Sequence, residues 1–402
     1  MRVTTNMQYQ HSIRALQSTS ERLEKANNQM TTGDKFTTAG ENPSGMASKL
    51  SLTGKIESYQ QFNTNAGLLD SSLTLEGTVL TSTTTSLQSA YSKVQQSQSG
   101  AISTSDRKSI ASELVQLQNQ IYDLMNSKNA DGEYIFGGNQ SQTQPFVKDS
   151  SGAYLFQGDT GQRMIQVSPS VNIASNDSGL SVFQSVPTRR TASTSDANLT
   201  VGVTAQSEFD NFFRSKYDFS TPANNTYSII TTASPDTYQI FDNSGSATPL
   251  QSGSYVQGEA VTFNGLSLTI NAAANATQTF SLDAPKNDNV LNSISAMISA
   301  LNDSTISDED YSKMAADVEI HITNALDRID ITQGAIGGRQ NNLEQVMDTN
   351  TSLATISKEA RADVSEIDLY EAISKVAQEM SALSMAQQAF AQVNKSTLFD
   401  YL

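Results

Sequence analysis

Residues 110–138 read IASELVQLQNQIYDLMNSKNADGEYIFGG, and the hydrophobic period changes inside that stretch. Ile110, Leu114, Leu117, Ile121 and Leu124 alternate steps of four and three, which lays one apolar stripe along an α-helix. From Asp131 that period is gone. Glu133 to Phe136 is short, aromatic and β-branched, as a strand is, and Gly137-Gly138 stops it. A chain that leaves helix here and regains it after Pro285 is an α+β protein: helical ends around an all-β central insertion.

Working towards the N-terminus, Ser105 or Asp106 is placed to cap this helix by accepting from its free amides. Before Gly100, Leu52, Tyr59, Ala66, Leu73, Leu80, Leu87 and Val94 step by seven and predict a long helix. Gly33 and the turn from Gly40 to Gly45, containing Asn42-Pro43, separate it from a first helix. There Tyr9, Leu16, Leu23 and Met30 recur every seven residues, with Ile13 between the first two, while the alternate positions Asn6, Ser20 and Asn27 are polar.

Working towards the C-terminus, strand-like runs are Ala153 to Phe156, Met164 to Val167, Thr226 to Thr231, Thr237 to Phe241 and Leu266 to Ile270. Gly, Asn, Asp, Ser and Pro punctuate them, so antiparallel hairpins are the natural arrangement. Pro187 to Asn198, rich in Ser and Thr, reads as a linker between two β portions. Val290, Leu291, Ile294, Ile298 and Leu301 mark a helix, and Asp308 is placed to cap the next. That one carries Met314, Val318, Ile322, Ala325 and Ile329, and its pattern continues through Leu343, Val346, Leu353, Ile356 and Val364. In the last stretch Leu369, Val376, Leu383 and Phe390 lie seven apart, with Ile373 and Met380 between them.

Both ends therefore carry a narrow seam with no partner in its own segment. Ordering each backbone residue costs roughly 1–2 kcal/mol, and burying a large aliphatic side chain returns roughly 1.5–3 kcal/mol. With one residue in three or four apolar, such seams break even only when well buried. The two ends are expected to pair with each other and with neighbouring copies, and to order as they assemble.

Composition removes several function classes. The net charge of −16 and the absence of a basic stripe disfavour nucleic acid and anionic membrane as partners. There is no cysteine, so no disulfide, thiolate nucleophile or Cys-ligated metal exists. No apolar run is long enough to span a bilayer, and the segment from Met1 to Ser12 lacks the apolar core of a cleavable signal peptide.

The chemistry-bearing motifs are incomplete. His11 and His321 form no His-Glu-x-x-His pair and are expected on polar helix faces. Ser105 and Lys108 have a Ser-x-x-Lys spacing without the companion Lys-Thr-Gly. Gly54-Lys55 is not a phosphate loop. Gly334 to Gly338 follows no strand, and suits a bend or close helix packing better than a dinucleotide turn. Ser304 to Asp310 reads as a helix start rather than a calcium loop. No catalytic residue, cofactor site or metal site is expected.

The termini resemble the flagellin superfamily, and within it the hook–filament junction branch. The resemblance rests on Met1 to Thr5, Leu23, Gln29 to Gly33 and Asn42-Pro43-Ser44 at one end. It continues at Asn129 to Gly138, Gly158-Asp159 and Gly161-Gln162-Arg163. At the other end it rests on Ile367 to Ala372, Ala386 to Phe390 and Ser396 to Leu402.

The resemblance implies a non-enzymatic, elongated subunit of the bacterial flagellum with both termini at one end. It would form a ring with its own copies, joining hook-associated protein 1 to flagellin. It would leave the cell through the flagellar export apparatus, with a chaperone held at Phe390, Leu398 and Phe399. The implied layers are 1–40 with 366–402 as a coiled-coil inner domain, 41–187 with 286–365 as a helical bundle bearing β-hairpins, and 188–285 as a β-rich outer domain. The assembly residues would be Tyr9, Ile13, Leu16, Leu23, Met30, Leu369, Ile373, Val376, Met380, Leu383 and Phe390, with Asn42 and Pro43 forming the turn. Two other readings stay open: filament flagellin itself, or a surface adhesin whose insert binds glycans.

Overall fold

The structure is a computed structural model that describes residues 5–99, 102–233, 236–243 and 248–395. Its helices are α1 (Thr5–Thr32), α2 (Pro43–Ser97), α3 (Thr104–Met125), α4 (Gln206–Lys216), α5 (Val290–Asn302), α6 (Asp308–Ser365) and α7 (Leu369–Lys395). The strands are β1 (Phe146–Lys148), β2 (Tyr154–Phe156), β3 (Met164–Ser168), β4 (Val171–Ala174), β5 (Val186–Pro187), β6 (Ala192–Ser193) and β7 (Leu199–Val203). They continue with β8 (Thr226–Thr232), β9 (Thr237–Asp242), β10 (Gln251–Ser254), β11 (Ala260–Phe263), β12 (Leu266–Ile270), β13 (Thr277–Leu282) and β14 (Asn287–Asp288). Every strand pairing among the described residues is antiparallel. The α+β reading, with helical ends and a central antiparallel insertion, holds.

The described residues fall into two compact units. One comprises those up to Ser71, Met164–Ala174 and those from Gly338 onward. It holds α1, α7, parts of α2 and α6, and the β3–β4 hairpin. Asn350 is fully buried and donates to the Val167 carbonyl at 2.8 Å, which fastens that hairpin to α6.

The other unit comprises Ser72–Arg163 and Ser175–Gly337. Along α2, the stepped residues Leu73, Leu80, Leu87 and Val94 are buried as their spacing predicts. A second row seven apart, Glu76, Thr83 and Ala90, is buried between them. The many Ser and Thr residues of α2 survive inside a helix because their hydroxyls donate to carbonyls four residues back, as at Thr78, Thr81, Ser82, Thr85 and Ser89. Helix α3 packs on α5, where Gln118 donates to the Leu291 carbonyl at 2.9 Å.

Three local expectations need correction. The cap of α3 is Ser103, which accepts from the Asp106 amide while Asp106 reaches back to the Ser103 amide; Ser105 already lies in the first turn. Ser307 plays the same part for α6 by accepting from the Asp310 amide at 3.0 Å, so Asp308 is the first helical residue. Glu133 to Phe136 is a turn, not a strand. Asn129 Oδ1 accepts the Asp131 and Glu133 amides, and the Ile135 amide donates to the Ser127 carbonyl. These local partners use up the donors that a strand would have offered to a neighbour. The turn is then pinned from outside. Arg163 holds Glu133 at 2.5 Å, an ion pair that keeps this carboxyl below its ordinary range, and Phe136 meets Phe183 edge-on at 5.0 Å.

Two more corrections concern His321 and the glycines of α6. His321 is not on a polar face but 1% exposed. Its Nε2 donates to the Asp288 carbonyl at 3.2 Å, so its Nδ1 accepts from Ser293 Oγ at 2.5 Å. Around Gly334, Gly337 and Gly338 there is open space, so close helix packing is not what those glycines serve. Burial pushes the His321 imidazolium pKa down, against the pull of the Val186 and Asp288 backbone and the Asp288 charge. The unfolded chain then binds a proton that the fold refuses. Stability is complete above about pH 6.5 and is lost as the pH falls below it towards the folded value. Thermal melts between pH 7 and 5 are expected to show a steeper fall for the wild type than for His321→Gln.

The insertion is built from a five-stranded sheet, ordered β10-β9-β8-β13-β6, and a three-stranded sheet, β11-β12-β7. Between them lies a core that includes Phe209, Phe212 and Phe213 of α4 with Tyr227, Ile229, Ile240, Phe263, Leu268 and Phe280. The insertion begins and ends at a two-stranded neck, where Val186 pairs with Asp288 and Pro187 with Asn287. Beside the neck Arg189 reaches Asp317 at 3.0 Å, Gln206 at 2.7 Å and the Val203 carbonyl at 3.1 Å. Pro187 to Asn198 therefore does more than link: it supplies this Arg and β6.

One member of the core is out of place chemically. Gln278 is 3% exposed on the inward side of β13, and neither its amide oxygen nor its amide nitrogen has a partner. An orphaned buried amide costs about 1–3 kcal/mol. Gln278→Met keeps the shape and removes the polar atoms, so it is expected to raise the melting midpoint of the insertion by several degrees in a thermal scan.

Candidate assembly interface

Helix α1 ends because Gly33 takes a left-handed conformation, φ +74°, which closes the last turn through its amide to the Gln29 carbonyl. The chain leaving α1 then zips against the chain between α6 and α7. The Lys35 amide donates to the Ser365 carbonyl at 2.6 Å and the Ile367 amide to the Gly33 carbonyl at 2.8 Å. Lys49 pairs with Asp34 at 2.7 Å, and Lys35 Nζ donates to the Asp363 carbonyl at 2.7 Å. The turn follows. Asn42 accepts from the Gly45 amide at 3.0 Å, and Pro43 opens α2, where its missing N–H costs nothing.

With both crossovers clamped, α1 and α7 run antiparallel. Ile367 meets Gly33, Arg22 pairs with Glu379 at 3.1 Å, and Tyr9 meets Phe390 with ring centroids 5.5 Å apart. The described ends of the chain thus lie together. The surface ion pair contributes little, of order 1 kcal/mol at most; apolar contact is the main support.

Of the seam residues expected on α1, Ile13, Leu16, Leu23 and Met30 are half-buried and Tyr9 is exposed. On α7, Val376 is buried, 8% exposed, while Leu383 and Phe390 are half-buried. Leu369, Ile373 and Met380 are exposed, Ile373 by 53%. The expected seam is therefore split: one edge of the α7 stripe packs on α1, and the other edge faces solvent. Leu398 and Phe399 lie outside the described residues.

Sequence reasoning missed Thr19, Ala26, Gln29 and Ala372, all buried. On α1 the alternate positions lie three residues after each heptad residue rather than four, so Thr19 and Ala26 face inward while Ser20 and Asn27 are exposed. An alternation of three and four was legible there and would have found them.

The most buried seam residues are small, and the large ones are incompletely covered. Such a pair holds marginally by itself and leaves apolar area for further helices. Elsewhere the chemistry is quiet: among the described residues no group of three or more His, Asp or Glu could hold a metal ion, and no helix is long and apolar enough to cross a membrane. Of the aromatic residues in 188–285, Phe219 alone stands out strongly, 77% exposed, with half-buried Tyr217 4.8 Å away.

Comparison with known proteins bears on α1 and the helices that follow it. Residues 3–141 match the model of the bacterial flagellin N-terminal helical region. Flagellar hook-associated protein 3 of Escherichia coli (strain K12) is 27% identical over 203 residues, which are 50% of this chain and only 63% of that protein. Two crystal structures from Legionella pneumophila are similar at 26% identity: flagellar hook associated protein-3 and the flagellar junction protein. Their TM-scores are 0.60 and 0.58, with 78% and 79% of this chain covered and 98% and 99% of those chains.

Proposed function

We propose, from its membership of the flagellin superfamily, that this chain is a structural subunit of the bacterial flagellum that joins hook to filament. The observation that carries the proposal is the antiparallel α1–α7 pair with its half-covered seam, in a chain similar to proteins named flagellar hook-associated protein 3 and flagellar junction protein. The exposed edge, Ile373 and Met380, is an unfilled apolar line at heptad spacing, with exposed Leu369 at the helix start. In an assembled ring, copies of α1 and α7 cover it, and the register of those helices sets which neighbours fit.

The layered division follows from the same reading. Residues 1–40 and 366–402 form the inner layer, 41–187 and 286–365 the bundle outside it, and 188–285 the part turned outward. One face of the ring meets hook-associated protein 1 and the other offers flagellin a lattice like its own. The subunit acts outside the cell without catalysis, after export by the flagellar apparatus, and a chaperone covers the Phe390 end beforehand. The glycan-binding alternative draws no support from the insert, whose aromatic rings are spent on its core apart from exposed Phe219 and half-buried Phe241.

Immunogold labelling of sheared flagella tests the reading. Gold confined to a single band where hook meets filament is expected. Gold along the whole filament would make the chain a filament subunit, and unlabelled flagella would end the flagellar reading.

A further inference from the structure

The neck of the insertion rests on a polar stripe of α6. Asp317, His321 and Asn324 step by four and three along that helix and so share one face. Each holds a different part of the neck. Asn324 donates to the Pro187 carbonyl at 2.7 Å and His321 to the Asp288 carbonyl at 3.2 Å, while Asp317 accepts from Arg189, two residues beyond β5, at 3.0 Å. Within the neck the Thr188 amide donates to the Lys286 carbonyl at 2.9 Å, and two residue pairs follow, Pro187 with Asn287 and Val186 with Asp288. A two-stranded ribbon is marginal at best in water by itself, so this one takes its order from α6. Arg189 also lines an open cleft of about 480 Å³ between β6, β7 and the first turns of α6, which leaves the insertion room to rock.

His321 is the buried member of the stripe, and both of its ring nitrogens are in use. A second proton turns Nδ1 from acceptor to donor, sets it against the Ser293 hydroxyl proton and leaves a charge in a site closed to water. The charged group that faces the ring is Asp288 of β14, whose carboxylate is taken up by the Asn289 amide at 2.7 Å and the Asn292 side chain at 2.8 Å. From α5 the ring meets neutral Ser293, and from β5 the Val186 backbone. The next charged groups along the stripe are Asp317 and its partner Arg189. Burial outweighs the pull of Asp288, so the held ring takes a proton less readily than a free one.

We infer that His321 is an acid-released latch: when its imidazole takes a proton, the neck lifts off α6 and the insertion swings about β5 and β14. A lifted neck opens the ring to water, where it binds a proton as a free histidine does. The latch is therefore closed above about pH 6.5 and loosens as the pH falls below that, towards the held value. One proton is taken up, so the ratio of open to closed chains rises at most about tenfold per pH unit, or about thirtyfold from pH 6.5 to 5. The insertion is fixed on its helices in neutral surroundings and loosened in acid ones, wherever in a flagellum the chain stands.

Hydrogen exchange of the full chain at pH 7, 6 and 5, corrected for the intrinsic effect of pH on amide exchange, reads the opening directly. In the wild type the Thr188 amide and its neighbours in the neck are expected to lose up to about thirtyfold in protection by pH 5, while β8, β13 and α3 keep theirs. His321→Gln keeps a donor for the Asp288 carbonyl and an acceptor for Ser293 but cannot titrate, so its neck should be protected equally at pH 7 and 5. Asn324→Ala removes a different tie and leaves the titration in place. Its neck should be less protected at pH 7 and fall further in acid as the wild type does. A wild-type neck equally protected at pH 7 and 5, or a fall that persists in His321→Gln, would overturn the latch. So would β8 and β13 losing protection together with the neck, which is unfolding rather than release. An Asn324→Ala neck as protected as the wild type would overturn it too, since the neck would then not depend on α6.

Discussion

Gly265→Ala is expected to unfold the insertion while leaving the terminal helices intact. Asn264 and Gly265 form the two-residue turn between β11 and β12, with φ of +46° and +80°. The Gly265 carbonyl accepts the Thr204 and Ala205 amides at 3.0 and 3.1 Å, so α4 begins against the turn. A Cβ at this position would stand 2.6 Å from the Phe209 amide nitrogen and also collide with the Ala205 carbonyl. Left-handed backbone costs an alanine about 1–2 kcal/mol, and forcing atoms into a packed site costs about 1–3 kcal/mol more. The start of α4 cannot yield without displacing Phe209, Phe212 and Phe213 from the core they share with Tyr227 and Phe263. Hydrogen exchange should show strands β7 to β13 losing protection, with α1 and α7 unchanged. Uniform protection would mean that the turn can relax and that the insertion's core is less dependent on it than argued.

The second large effect concerns the seam and separates its two edges. Val376→Asp puts a carboxylate at a site 8% exposed against α1. An uncompensated buried charge costs about 3–5 kcal/mol, more than this pair of helices can return. The helices should lose their pairing, and incorporation into flagella should vanish. Ile373→Asp sits on the open edge, 53% exposed, so the purified chain should melt as the wild type does. Incorporation should be lost all the same if, as proposed, neighbouring copies fill the stripe. Circular dichroism with sedimentation of sheared flagella reads both. An Ile373→Asp chain that assembles normally would show that the exposed edge is not an interface.

How far the sequence carried is clearest element by element. The helices were legible because their periods run long, and Leu73, Leu80, Leu87 and Val94 are buried where the spacing put them. Strands β8, β9 and β12 were legible from β-branched and aromatic runs with polar punctuation. Helix α4 was not. Its three phenylalanines fall in eleven residues inside an insertion otherwise read as strand, and only the packing of Gly265 against its start explains its place. Strand β11 was missed although Asn264-Gly265 is a strong hairpin signal. At Glu133 to Phe136 the strand-like composition lost to local acceptors, because Asn129 captured the amides first. His321 shows the opposite failure: nothing in its surroundings along the chain announces a buried imidazole, since Ser293 and Asp288 reach it from a different segment. On the α1–α7 pair the heptad residues Leu16, Leu23, Val376 and Leu383 are buried or half-buried while Tyr9 and Leu369 on the same lines are exposed, and Thr19, Ala26 and Ala372 required the alternation of three and four.

The most direct test of the junction role is deletion of the gene, with inspection of both the cells and the culture medium. Bare hooks, together with unpolymerised flagellin released into the medium and filaments restored by the full chain, are the expected result. Hooks still bearing filaments of normal length would contradict it.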